Sequence, residues 1–461
     1  MDLLEAYETG LHNDPQVLQA EAKRNALERG VDIRLARLLP QVSFNGTLNQ
    51  NRVDTSQSPI LLQNKTINSF WNSYYAVHLD QPLFHYEDWS QLWQADDQLA
   101  QAQAELEAAY QSMAIRISQT YFGALAADDD SNYLKQNVDR LKKQLEQTSE
   151  RLQAGFSTVV DQREVKAQLD QATSDLIYAI QKQEDSREAL KEIIGVTPHD
   201  LRGLPEKLPL KEPDPPDVNR WQEVALQSNL GILVATNAAA VAEKNIDINF
   251  AGHLPSLDLV GDRFSTDTDR YNGIVASGYN VGLQVNIPIF SGGGVNAKTN
   301  QARDYYEQSL YELDRQRRGA IRQLQNAYRG VLASISRVKA LEAAIESASL
   351  ALEGADAGYR VGTRTVTDVL FQQGRLVTAQ REFAKGRYDY LLNGLLLKQA
   401  AGTLRHEDMD LVNRLIRAEH LEGSRQRTGD SKKLYEDTVN KLRDAPNPNR
   451  ETDLERPVYD Y

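Results

Sequence analysis

The chain repeats itself at long range. Gly155 and Asp161 in AGFSTVVD recur as Gly362 and Asp368 in RVGTRTVTD, and Ile194-Gly195 recurs at Ala401-Gly402, all displaced by 207 positions. Tyr121 in SQTYFGAL pairs with Tyr328 in QNAYRGVL at the same displacement, Pro82 and Phe84 pair with Pro288 and Phe290 at 206, and Ile33 and Pro40 pair with Ile248 and Pro255 at 215. The segment joining the two prolines is therefore longer in the first copy, a difference that loops absorb. A period of this size far exceeds the ~20–50-residue unit of a solenoid. The 461 residues are a duplicated half-molecule, not the row of ~150-residue domains that length alone suggests.

Each half reads as helix, two strands, then two long helices. In the first, Val42, Phe44 and Leu48 alternate with Ser43, Asn45, Thr47 and Asn49, and Tyr75, Val77, Leu79 and Leu83 oppose Ala76, His78 and Asp80. In the second, Tyr279, Val281, Leu283, Val285, Ile287 and Ile289 alternate with Asn280, Gly282, Gln284 and Asn286, and Leu257 and Leu259 begin the partner strand. Period-2 segments of about ten residues suit a membrane-spanning strand, whose lipid and lumen faces alternate. They also suit a two-stranded ribbon on a soluble core. Aromatic residues at the strand ends (Phe70, Trp71, Tyr74, Tyr75, Phe84, Tyr86, Trp89 and Trp93) favour the membrane reading. Four strands cannot close a barrel, which starts at about eight, so a spanning sheet requires several chains to share one barrel.

From Asp88 to Ala154 there is no proline and only Gly123, enough for roughly 100 Å of helix. Leu134, Val138, Leu141, Leu145, Thr148 and Leu152, and Ile321, Leu324, Tyr328, Val331, Ile335 and Val338, step by three and four, as coiled-coil seams do. Gly155 and Gly362 break the helices and predict antiparallel hairpins. The expected organisation is a first repeat over 1–196 (helix, β-hairpin 41–84, helices 88–154 and 159–194), and a Pro-rich connector over 197–217. A second repeat covers 218–402 (helix, β-hairpin 256–289, helices 295–360 and 366–401). A short segment over 403–420 and a polar, disordered tail over 421–461 follow.

Composition narrows the chemistry. With 52 Lys and Arg against 65 Asp and Glu, the net charge of −13 argues against a nucleic-acid partner, which needs clustered cations. Zero cysteine leaves no disulfide, thiolate metal site, Cys nucleophile or lipid anchored through cysteine to be expected. No window of about 18 uncharged apolar residues is apparent, so no transmembrane helix is expected. The first residues, Met1 to Glu5, do not resemble a signal peptide, which predicts either a cytosolic protein or numbering that starts after a removed signal. GGGVNAKT at 292–299 nearly matches a phosphate loop but has Ala297 where the final glycine belongs, and reads as a strand-to-helix turn. Asp128, Asp130 and Asn132 imitate the start of a calcium loop, with Tyr133 where the sharp turn needs glycine. The seven histidines have no metal-ligand spacing. No catalytic, metal or cofactor residues are assigned. Arg364 and Asp368 share a helix face as an i, i+4 pair, which reads as a weak surface salt bridge in one chain and as a charged ring in an oligomeric tube. A soluble periplasmic coiled-coil adaptor or a cytosolic coiled coil remains an alternative on these residues alone.

AGYRVGTRTVTDVL at 357–370, HLPSLDL at 253–259, VNIPIFSGGGVN at 285–296 and AGFSTVVD in the first half together resemble the TolC family of outer-membrane factors, over about residues 3–416. The resemblance implies a mainly α chain forming a coiled-coil tunnel in the periplasm, with four β-strands per protomer in a twelve-stranded barrel shared by a homotrimer. It implies a channel and not an enzyme, set in outer-membrane lipid of a Gram-negative bacterium. Drug efflux or type I protein secretion would run through it with a periplasmic adaptor protein and an inner-membrane ABC or RND-type pump. Carried over by match, Asp368 and Phe371 would line the periplasmic aperture. Tyr359 and Arg364 would latch the hairpin to a neighbour with Asp161 as acceptor, and Gly155, Gly362 and Thr363 would be tip residues for adaptor docking. Some members carry a second acidic residue where this chain has Phe371, and a hydroxyl residue where it has Val160, which implies a partly hydrophobic constriction and a latch with fewer hydrogen bonds. Three carboxylates about a threefold axis would raise one another's pKa and attract cations.

Overall fold

Alternation and seam together build an elongated protomer with its sheet at one end of long helical rods. The computed structural model describes residues 1–54, 67–205, 208–268 and 274–417. In chain order these are α1 (Leu3–Asn13), α2 (Pro15–Ala36), β1 (Gln41–Asp54), β2 (Ile67–Phe84), α3 (Tyr86–Gln153), α4 (Val159–Ile194), α5 (Val218–Ser228), α6 (Leu230–Phe250), β3 (Ser256–Thr268), β4 (Ile274–Asn286), α7 (Gly294–Arg360), α8 (Val366–Ala401) and α9 (His406–Arg417). The tail expected over 421–461 lies outside the described residues.

The four strands form one antiparallel sheet in the order β1-β2-β3-β4, so the two halves are joined through β2 and β3. Register puts Val42 opposite Leu79, Leu79 opposite Gly261 and Gly261 opposite Val281. Because cross-strand partners share a face, one face collects Val42, Phe44, Val77, Leu79, Leu257, Leu259, Val281, Leu283 and Val285. The other collects Gln41, Ser43, His78, Asp80, Asp258, Asp262, Asn280 and Gln284. On the apolar face Val42, Phe44, Val281, Leu283 and Val285 are all exposed, so no helix covers it. On the polar face His78 contacts Asp262 at 2.6 Å, and His85, just before α3, bridges Asp258 at 2.7 Å and Asp88 at 3.1 Å. Strand β4 stops at Asn286, three residues short of the expected boundary at 289: Pro288 has no N–H for the ladder, and Ile289 and Phe290 lie open to solvent.

Helices α3 (68 residues) and α7 (67 residues) are each ~100 Å long. The seam residues Leu134, Val138, Leu141, Leu324, Val331, Ile335 and Val338 are buried against the returning helices α4 and α8. The main core sits where α1, α3, α4, α7, α8 and α9 converge, around Leu3, Met113, Ile117, Tyr121, Leu190, Leu324, Tyr388 and Met409. It also fixes the proline-rich connector. The Tyr121 hydroxyl donates to the Arg202 carbonyl at 3.0 Å and accepts from its N–H at 3.2 Å, and the Tyr390 hydroxyl does the same for Lys211 at 3.1 and 2.9 Å. Both repeats close their last helix with a glycine at φ 74°, Gly195 and Gly402. One expectation needs correction: the run Val218–His253 contains an 18-residue window of mean hydropathy 1.4, apolar enough by composition for a membrane helix. Asn229 caps a break inside this run, and α6 lies alongside α3 and α7, which accounts for its small alanine-rich face.

Candidate functional site

The duplicated turns at the far end of the two hairpins carry nearly all the residues singled out in the sequence. Each long helix ends in the same way. The N–H of Phe156 donates to Arg151 O at 2.7 Å and that of Gly155 to Leu152 O at 3.0 Å; the N–H of Thr363 donates to Gly358 O at 2.9 Å and that of Gly362 to Tyr359 O at 3.2 Å. Both glycines are left-handed, at φ 80° and 81°, as this helix-ending motif requires. The chain then restarts with a capping box: the Asp161 N–H donates to Thr158 Oγ1 at 3.1 Å and the Thr158 N–H to Asp161 Oδ2 at 3.0 Å. Thr365 and Asp368 repeat it at 3.2 and 2.9 Å. A T-x-x-D pattern at both positions was the sequence signal for these caps, and it identifies Thr158 and Thr365 as tip residues that the motif match alone passed over.

Capping sets the charge of both aspartates. Hydrogen bonds from Thr158 hold the Asp161 carboxyl below the usual carboxylate range, and those from Thr365 do the same for Asp368. For one protomer this is the opposite direction from the rise expected of a closely packed acidic ring, because each carboxylate is solvated and bound to its own turn. Since the folded pKa is depressed, the capping contribution is complete above the ordinary carboxylate pKa and is lost as pH falls through the folded value.

Arg364 Nη1 lies 3.9 Å from Asp368, both partly exposed. Phe371 is 63% exposed, one helical turn beyond Asp368, with the Arg375 guanidinium 5.9 Å from its ring. Tyr359 packs against the cluster of Val138, Leu141, Val165, Val366 and Leu370 that joins the two hairpins, and Arg151 stacks over its ring at 4.8 Å. Its hydroxyl is buried without a hydrogen-bond partner among the described residues. Within one protomer Asp161 bonds its own turn, through Ser157 and Thr158, and neither Tyr359 nor Arg364 reaches it. Gly155, Gly362 and Thr363 are exposed at the extreme tips, next to Phe156, Val160 and Val361, each at least 75% exposed.

A second cluster ties the hairpins together midway along. Asp128 accepts from Gln183 Nε2 at 2.7 Å and from Arg187 at 3.2 Å on α4, Asp129 accepts from the Tyr388 hydroxyl at 2.8 Å, and Asp130 is gripped by the Arg381 guanidinium on α8. Successive helix positions diverge by ~100°, so three adjacent carboxylates address different partners and cannot converge on one ion. Burial pushes Asp129 above its usual range, against the pull of Tyr388 and Arg387. Arg387, itself buried, donates to the Pro205 carbonyl at 2.9 Å and so adds the connector to the clamp. Replacing Asp130 or Arg381 by alanine is expected to cost about 1–2 kcal/mol each. The double variant should cost clearly less than the sum, measured by denaturant unfolding in a double-mutant cycle; strict additivity would remove the clamp.

Long paired rods that carry a small sheet, apolar on one face and polar on the other, with neither β1 nor β4 paired further among the described residues, have the form of a membrane-channel protein. Comparison with known proteins gives the family. The model for outer membrane efflux proteins matches residues 6–196 and 221–403, one segment per repeat. The outer membrane protein TolC of Vibrio cholerae is 31% identical over 417 residues, spanning 89% of this chain and 93% of that protein. The proteases secretion protein PrtF of Dickeya chrysanthemi is 29% identical over 425 residues, spanning 89% and 90%. Among solved structures, the outer membrane protein VceC of Vibrio cholerae superposes with a TM-score of 0.72 at 18% identity over 87% of this chain and 96% of its own. The CmeC outer membrane channel of Campylobacter jejuni gives 0.75 at 17% identity over 90% and 89%. The chain belongs to the outer membrane efflux protein family, and it is a Gram-negative outer-membrane channel for efflux or secretion. Members are channels and not enzymes, and they work with adaptor proteins and inner-membrane pumps.

Proposed function

We propose that three copies of this chain form one passive export duct, with β1 of each copy paired to β4 of the next in a twelve-stranded barrel and the helical hairpins forming a tunnel below it. The observation that carries this is the sheet: four strands, an uncovered apolar face and two open edges require partner strands, and three copies exceed the ~eight-strand minimum. The periplasmic end is narrowed by Asp368 and Phe371 around the threefold axis. The Tyr359 hydroxyl, which has no hydrogen-bond partner among the described residues, and the exposed Arg364 act as donors toward a neighbouring hairpin, with Asp161 as an acceptor. Gly155, Gly362, Thr363 and their apolar neighbours offer a docking surface to a periplasmic adaptor, itself coupled to an ABC or RND-type pump. An acidic chain of net charge −13, present three times, favours cations in the lumen.

Single-channel recording in planar bilayers tests the reading. Wild-type pores should be narrow and cation-preferring, and should block with divalent or trivalent cations on the side of the hairpin tips. Tyr359→Phe combined with Arg364→Ser should raise conductance several-fold. Equal cation and anion permeability would remove the acidic constriction, and unchanged current in the double variant would remove the latch. Sizing in detergent must return a trimer.

A further inference from the structure

The apolar face of the sheet has one feature that neither the duct nor its closure uses. Between the row that pairs Phe84 with Leu257 and the row that contains Tyr75, the sheet rises nine residues along β2, about 30 Å along the strand or ~23 Å across a bilayer at a ~40° tilt. That is the height of a lipid-facing belt. Phe84 and Tyr86 stack edge-on against Trp89 and Trp93 at its lower margin, and Trp71 and Tyr75 mark the upper one. Within the belt Arg263 is the single charged side chain on this face among the described residues. Register places it beside Val77 and Tyr279, with Phe44 one strand further on, and one row below Tyr75, Ser265 and Ser277.

Arg263 is exposed, and it makes no ion pair, hydrogen bond or ring contact among the described residues. Asp267 shares the face but stands two rows higher, ~13 Å along the strand and beyond reach. A lipid-facing arginine costs up to ~2–4 kcal/mol at the midplane and much less near an interface, so it is tolerated where its guanidinium can rise to the headgroups. The rows above it suit that path: Gly46, Ser265 and Ser277 are small, hydroxyls flank the way, and the Phe44 and Tyr75 rings stack at 6.4 Å along one side. Arg263 lies on β3, an interior strand, so assembly through the β1 and β4 edges leaves it facing lipid.

We propose that Arg263, with Ser265, Ser277 and Tyr279, binds the phosphate of an anionic lipid headgroup in the leaflet remote from the helices. The guanidinium presents a planar fork of donors to phosphate oxygens at the boundary where the medium turns from hydrocarbon to headgroup, and the uncompensated charge gains a partner there. This rests on the barrel reading, because in a soluble ribbon the same side chain would be an ordinary solvated arginine.

The test uses purified wild-type, Arg263→Ser and Arg263→Lys trimers, titrated with phosphatidylglycerol and with diphosphorylated lipid A, against phosphatidylcholine and inorganic phosphate, and read by native mass spectrometry. Arg263→Ser should still assemble as a trimer but bind both phosphorylated lipids about tenfold or more weakly, with unchanged binding of the zwitterionic lipid. Arg263→Lys should retain part of the affinity. In the wild type, anionic lipid but not inorganic phosphate should protect Arg263 from phenylglyoxal, which keeps the question open to measurement if the serine variant misfolds. Equal anionic-lipid binding by wild type and Arg263→Ser overturns the proposal, as does full protection by inorganic phosphate. A wild-type chain that is not trimeric and takes up no lipid of any kind overturns the barrel reading instead.

Discussion

Replacing Val281 by lysine should prevent the channel from assembling in a membrane. Val281 is 72% exposed in the protomer, and its row, Val42–Leu79–Gly261–Val281, lies midway between the aromatic margins of the belt. A lysine at the bilayer midplane costs about 2–4 kcal/mol on a lipid-facing strand, and a trimer would bear that three times. Among the described residues no compensating carboxylate is at hand on that face, since the nearest in register, Asp267, is six residues further along β3 than Gly261. The control is Gln284→Lys, three residues further along β4 than Val281 and on the polar side opposite Asp258. It should assemble normally. The measurement is the trimer fraction recovered from membranes by sizing in detergent. Normal recovery of Val281→Lys, or equal damage from both variants, would reverse the assignment of the two faces.

The second large effect is expected at Gly402. A Cβ built there would lie 2.0 Å from the Ser228 carbonyl oxygen, 2.4 Å from its carbon and 2.8 Å from Asn229 Cα, all backbone atoms, and the residue holds φ at 74°. Neither the left-handed dihedral nor the contact can be relieved by a rotamer change. Asn229 is itself committed, capping α6 and donating to Ala400 O at 2.9 Å, so the junction of α5, α6 and α8 would have to separate. Alanine at 402 should cost roughly 3–5 kcal/mol, the sum of conformational strain and overpacking. Gly362 has nearly the same φ, 81°, but nothing within 4 Å of its Cβ position, and alanine there should cost only about 1–2 kcal/mol. Thermal loss of helical ellipticity compares the two, and equal midpoints would mean that the close approach at 402 carries no weight.

Much of the architecture was legible because it follows local periodicity. Alternation around Val42 and Val281, the three-and-four steps from Leu134 and Ile321, and the glycines at 155, 195, 362 and 402 each report a local conformation, and duplication made each legible twice. What could not be read is long-range. No local pattern states that β2 of one half lies against β3 of the other, that Arg151 stacks on Tyr359, or that three adjacent aspartates fan out to two different helices. Asp128 and Asp130 imitate a calcium loop by spacing alone, whereas the helix expected over 88–154 turns adjacent carboxylates ~100° apart. Conversely, the T-x-x-D pair was legible and gives Asp161 and Asp368 a capping task in each protomer that a match to an aperture does not reveal.

The two open edges of the sheet belong to different halves, β1 to the first and β4 to the second. Such a chain cannot close a ring with like against like. In the proposed ring every joint between copies would be heterologous, head to tail, and would repeat the β2–β3 joint already made inside each chain with the halves exchanged. Closure is therefore collective: a copy with one spoiled edge leaves one joint unmade, which is enough to keep the ring open, and no smaller closed form remains to fall back on. In a cell making intact and edge-defective chains together, most rings would include a defective member, so an edge mutation in this protein should behave as dominant.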